Sequence, residues 1–157
     1  AGMGYAVAKG NPKNVNPDDL CGLNVAVETG TVEEDAINKT AKQCKADGKK
    51  DITIQSSKQQ TDATTAVVTG KADVFFADSP VVGYAIAQTE GQLEQLGKDF
   101  DSVPNAIAIK KGDSQTTEAV QKAMQKLMDD GTYTKILQHW GVESGALDKA
   151  EINPAVE

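Results

Sequence analysis

Arginine does not occur in this chain; all 16 of its basic residues are lysine. A planar, two-pronged grip on a carboxylate or phosphate is an arginine task. Any acid group held here must therefore meet backbone N–H groups, lysine, or an arginine from another chain. Histidine occurs once, at His139 in LQHWG. A single imidazole late in a helix reads as a packing or surface residue, not as a catalytic base. Cysteine occurs twice, at Cys21 and Cys44, and with His139 far away in sequence no metal site is expected. No run approaches the roughly 18 apolar residues of a membrane span. Positive charge is also scarce: a net charge of −7 and a pI near 4.7 argue against nucleic acid and anionic membranes as partners. G-x-S-x-G, P-loop and H-E-x-x-H patterns are missing. GMGYAV supplies G-x-G but puts Val7 where a dinucleotide fingerprint needs its third glycine. No catalytic residue and no cofactor are assigned.

The 157 residues suffice for a core without metal or disulfide staples. GYAVAKG alternates like a strand, and NPKNVNPDDLCG is a loop. LNVAVETG is a β-rich run of the kind buried in a parallel sheet. TVEEDAINKTAKQCKADG reads as a helix: Thr31 and Glu34 make a capping box, Ile37, Ala41 and Cys44 form a stripe, and Gly48 stops it. Further strands are expected at DITIQSS, ADVFFAD and NAIAIKKG, with a weak one at GQLEQLG. Helices are expected at QQTDATTAVVTG, at PVVGYAIAQ behind an N-cap Ser79 and a first-turn Pro80, and at TYTKILQHWG. The most convincing helix is SQTTEAVQKAMQKLMDDG, with Val120, Ala123, Met124 and Leu127 facing inward. Strands alternating with helices predict an α/β fold with a mainly parallel sheet.

Open parallel sheets bind ligands beyond the carboxyl ends of their strands, and two stretches arrive there. In VETGT a strand feeds a helix through Gly30 and Thr31, exposing the N–H groups of Thr31 and Val32 at a helix start that suits an anion. The competing reading is an ordinary, well-capped turn. In FFADSP, Asp78 ends a buried strand beside another helix start; here the competing reading is a plain helix cap. Taken together, the two stretches suit a small zwitterion, its carboxylate at Thr31 and its ammonium at Asp78. Glu28, at the edge of the same loop, adds a second carboxylate or is simply a solvated charge. Cys21 and Cys44 are two buried thiols or one disulfide. A strand and its return helix would bring them together, and a bond would require an oxidising compartment.

Four stretches carry a resemblance: YAVAKGNPKNVNPDDLCGLNVAVETGTVEED, TDATTAVVTGKADVFFADSP, AIAIKKGD and MQKLMDDGTYTKILQHWGV. Together they resemble the amino-acid-binding proteins of ABC importers, solute-binding family 3, over nearly the whole chain. The resemblance implies a type II periplasmic-binding-protein-like fold, in which two α/β lobes close on a ligand. It implies that Asp78 accepts the ligand's α-ammonium, that the N–H groups or side chains of Thr31 and Val32 touch its α-carboxylate, with Gly30 a further ligand-binding residue, and that Glu28 contributes to side-chain selectivity. The Cys21–Cys44 pair looks like the versions from high-GC Gram-positive bacteria, commonly a disulfide.

Family members carry further residues ahead of GYAVAKG, with aromatic walls and an arginine fork. By resemblance, residues 4–100 are lobe two, 101–105 a hinge, and 106–157 the C-terminal remnant of an incomplete lobe one. That remnant would dock elsewhere, self-associate with another copy, or stay disordered. The implied function is capture of a polar or charged amino acid and its delivery to a membrane permease, in an extracytoplasmic location. Alternatives are a ligand-sensing domain of a signalling protein, or a dehydratase built on the same fold.

Overall fold

Hydrophobic alternation places the centre of this molecule at Val74–Asp78, where Val74 and Phe76 face one side of a sheet and Phe75 and Ala77 the other. The computed structural model describes residues 1–154, so the last three residues of the 106–157 segment lie outside it. The chain divides into two compact units. One comprises Gly2–Ser102, and the other Ala1 together with Val103 onward.

The first unit is built on five strands: β1 (Met3–Ala8), β2 (Asn24–Glu28), β3 (Thr53–Ser57), β4 (Val74–Asp78) and β5 (Leu93–Phe100). Their order across the sheet is β3-β2-β4-β1-β5. β2 pairs in parallel with β3 and β4, whereas β1 pairs antiparallel with both β4 and β5. Four strands thus run one way and β1 alone runs against them. The expected mainly parallel sheet is mixed in its ladders, because β1 lies between two strands of the other direction. The weak GQLEQLG signal becomes the full edge strand β5.

Three helices cover the sheet: α1 (Val32–Ala46), α2 (Gln60–Val68) and α3 (Ser79–Gln88). Ile37 and Cys44 of α1 pack with Val25, Val27, Val74 and Phe76 on one face. Ala63 and Val67 of α2, with Val82 and Ala85 of α3, pack against Ala26, Phe75 and Ala77 on the other. Tyr5, Phe76 and Phe100 cluster on the α1 face, with ring centroids 4.7–6.0 Å apart. Cys21 and Cys44 are joined in a disulfide, their Cα atoms 5.7 Å apart, which ties the loop before β2 to the end of α1. Buried Asp73 accepts the N–H of Asn24 at 2.8 Å and pairs with Lys13, so the starts of β2 and β4 are pinned side by side.

The second unit contains α4 (Ser114–Asp129), α5 (Thr132–His139) and a short 3-10 turn at Glu143–Gly145. Asp113 caps α4 by accepting from the N–H and hydroxyl of Thr116. Gly131, at φ +77°, makes the left-handed corner into α5. The tail crosses α4 through paired amides: Gln121 donates to the Ala150 carbonyl, and the Ala150 N–H donates to Gln125.

Two expectations fail here. NAIAIKKG forms no strand; a strand needs a ladder partner, and the described residues of this unit offer none. Nor is the Val120–Leu127 stripe buried: Val120, Met124 and Leu127 are half-covered and Ala123 is exposed. Two helices and a tail provide no sheet for that stripe to pack against.

Candidate functional site

β2 and β4 are parallel neighbours, so their carboxyl ends emerge side by side, each leading straight into a helix. Gly30, at φ +81°, turns the chain out of β2, a conformation that glycine adopts at little cost. Thr31 then caps α1, its hydroxyl oxygen accepting the Glu34 N–H at 3.2 Å. Glu34 reaches back to accept the Gly30 N–H at 2.7 Å and the Ser56 hydroxyl. These bonds hold its carboxyl below the usual range, the Gly30 N–H contributing most. The predicted capping box is therefore present, closed on Gly30 and anchored to β3. Among the described residues, nothing accepts the N–H of Thr31 or Val32. Val32 itself is 67% exposed.

Asp78 occupies the N-cap position of α3 but makes no side-chain capping bond. Ser79, expected as the cap, is instead the first helical residue. It is bound to Gly2, whose N–H donates to its hydroxyl at 3.2 Å and whose carbonyl accepts its N–H at 2.7 Å. The plain-cap reading of Asp78 thus fails, and its carboxylate is exposed at the strand end.

Strand alternation carries Asp78 to the same face as Val74 and Phe76, the α1 face. It carries Glu28 to the opposite face, with Ala26. The structure therefore brings together Gly30, Thr31, Val32 and Asp78, and sets Glu28 apart; only its carbonyl takes part, accepting the Thr31 hydroxyl at 2.9 Å.

The carboxyl that does stand against Asp78 is Glu33, in the first turn of α1 and only 3% exposed. Burial pushes this carboxyl above the usual range. Its own N–H draws it partly back, the Asp78 carboxylate raises it further, and the Thr31 hydroxyl offsets a smaller part. Sequence reasoning missed it. The signal was there: counting back four residues from Ile37 along the inward stripe lands on Glu33.

Known proteins fit this geometry. The model for bacterial extracellular solute-binding proteins, family 3, matches residues 18–143. The arginine-binding protein ArgT of Corynebacterium glutamicum is 40% identical over 154 residues, covering 98% of this chain and 50% of that protein. The lysine/arginine/ornithine-binding periplasmic protein of Escherichia coli is 28% identical over 146 residues, covering 85% and 52%. Among solved structures, an ancestral arginine-binding protein bound to arginine gives a TM-score of 0.69 at 28% identity, over 89% of this chain and 60% of that one. An ancestral cationic amino acid solute-binding protein gives 0.73 at 27%, over 89% and 58%. The chain spans about half the length of these curated relatives. With the family model covering most of its residues, the chain belongs to the bacterial extracellular solute-binding proteins, family 3.

Proposed function

We propose that residues 4–100 form one lobe of an amino-acid receptor that delivers its ligand to an ABC permease. The observation that carries this reading is the shared edge of β2 and β4, where an α1 start with uncommitted N–H groups stands beside the exposed Asp78 carboxylate. An α-amino acid presents the complementary pair of charges. Its carboxylate meets the free N–H groups of Thr31 and Val32 at the helix start, beside the turn that Gly30 makes. Its α-ammonium meets Asp78. Glu28, at the far side of the strand end, bears on the ligand's side chain only from the opposite face of the sheet. The names of the relatives, which bind arginine or lysine, arginine and ornithine, favour a cationic amino acid.

On this reading residues 101–105 are a hinge and 106–157 belong to the second lobe. Closure of two lobes on the ligand stabilises the loaded state by contacts from both. The role is capture, not turnover. An extracytoplasmic location agrees with the Cys21–Cys44 disulfide, which persists in an oxidising compartment.

An amide-shift titration of the chain with L-arginine, L-lysine and L-glutamine at millimolar concentration tests the reading. Shifts gathered at Gly30, Thr31, Val32 and Asp78 are expected, weakened in Asp78→Ala. Shifts that spare those four residues, or an Asp78→Ala chain that binds as well as its parent, would refute it.

A further inference from the structure

Glu33 is the anomaly of this site. An isolated carboxylate is among the costliest groups to cover, and covered charges are normally paired. Glu33 is 3% exposed, yet its Oε1 has no hydrogen-bond partner. Glu34, next to it on α1, is committed to Gly30 and to Ser56 of β3. Glu28 of β2 lies on the other face of the sheet. Asp78 of β4 is the one charged group that acts on Glu33, and it has the same sign. A like-charged neighbour disfavours the ionised form of a covered carboxyl, and either a proton or a cation relieves it.

We propose that Glu33 is a second ligand carboxyl: in the ligand-free chain it holds a proton against Asp78, and an entering α-ammonium takes that proton's place. An ammonium has three N–H donors, enough to serve both Asp78 and the unpartnered Oε1 of Glu33. The displaced proton leaves to solvent, so charge balances: one positive charge enters the pair and one departs. The inference rests on the proposed amino-acid site and adds to it a residue and a consequence. Affinity should climb with pH across the range in which Glu33 gives up its proton. The seat should also reject an amine that has been acylated.

The test follows the side-chain carboxyl NMR signals of Glu33 and Asp78 in the 157-residue chain across pH. It is run without ligand, with L-arginine, and with N-α-acetyl-L-arginine, which keeps the guanidinium but lacks the α-ammonium. Calorimetry in buffers of different ionisation enthalpy counts the protons. Without ligand, Glu33 is expected to titrate above an ordinary glutamate, and Asp78→Asn to bring it back toward that value. L-arginine should lower its midpoint and release protons, while the acetylated compound does neither. Glu33→Gln should abolish the release and weaken L-arginine about tenfold.

If L-arginine moves Asp78 and the Gly30–Val32 amides but leaves the Glu33 titration alone, this inference falls and the amino-acid site stands. Equal effects from both compounds would put the guanidinium in the seat and also overturn it. No response anywhere to L-arginine sinks the site and the inference together. A merely structural Glu33 would release no proton on binding, so the proton count decides even if the glutamine variant folds poorly.

Discussion

The two units of this chain carry equally good local signals and bury very different amounts. Every buried hydrophobic side chain among the described residues lies between Ala6 and Leu93. Beyond Ser102, α4 and α5 are well formed and capped or turned by Asp113 and Gly131, yet neither contains a buried residue. Ile107, Ile136 and Trp140 are 60%, 49% and 52% exposed. The lesson is that periodicity and caps decide whether a helix forms, while burial depends on whether another layer is present to receive its face.

Removing a core side chain from each unit is the strongest way to break that contrast. Phe75 is fully buried between β2, α2 and α3, so Phe75→Ala should cost about 3–5 kcal/mol in urea-induced unfolding. Leu127→Ala, on the half-covered stripe of α4, should cost less than about 1 kcal/mol. Comparable losses at the two positions would mean that the second unit has a core of its own, and the contrast would collapse.

The disulfide belongs to the sheet unit alone and should act there. It closes a loop between residues 23 apart in sequence. Replacing both cysteines by serine should lower stability by about 3 kcal/mol on the loop-entropy account. Amide exchange would localise the effect: α1 and β2 should lose protection while α4 keeps whatever it had. A uniform loss across both units would show that they unfold as one body.

These contrasts also explain how far the sequence could be read. The strands β2 and β4, the helix α1 with its Thr31 cap, and the juxtaposition of Gly30–Val32 with Asp78 all follow from short-range patterns plus one topological rule. NAIAIKKG misleads because alternation reports what a segment would do beside a partner strand, and pairing is not encoded within the segment. β5 was faint for the opposite reason. As an edge strand with one covered side it needs little apolar character, and β1 supplies its ladder. Glu33 escaped notice because a glutamate in a first turn ordinarily serves the helix dipole in water. The Ile37 stripe places this one on the inward side, but only the position of β4 reveals that it faces Asp78.

A smaller effect isolates the turn from the core beneath it. Thr31→Ala removes the hydroxyl that receives the Glu34 N–H and donates to the Glu28 carbonyl. A loss of about 1 kcal/mol is expected. Glu34 should still hold Gly30 and Ser56, so α1 stays in place, and amide exchange should rise only in its first turn. Fraying that extends to Ile37 would mean that the cap, and not the apolar face, holds the helix on the sheet.

The smallest effect distinguishes two adjacent residues of α1 by sign. Glu34 has its carboxyl lowered by the Gly30 N–H and the Ser56 hydroxyl, so the stability it contributes is present above the ordinary glutamate range. That stability is lost as pH falls through its depressed value. Glu33 has its carboxyl raised by burial and by Asp78. The folded state therefore holds a proton that the unfolded chain has already released, and stability declines as pH rises from the ordinary glutamate value to the raised one. Above that interval the penalty is constant. Thermal unfolding of the ligand-free chain should follow this pattern. Glu33→Gln should match its parent in acid, gain on it through the interval, and keep a fixed advantage above it. Glu34→Gln should show the reverse, losing most at neutral pH and converging with its parent in acid. A Glu33→Gln chain less stable than its parent above that interval would mean that the glutamate is satisfied where it stands, with no room in its energetics for a ligand's ammonium.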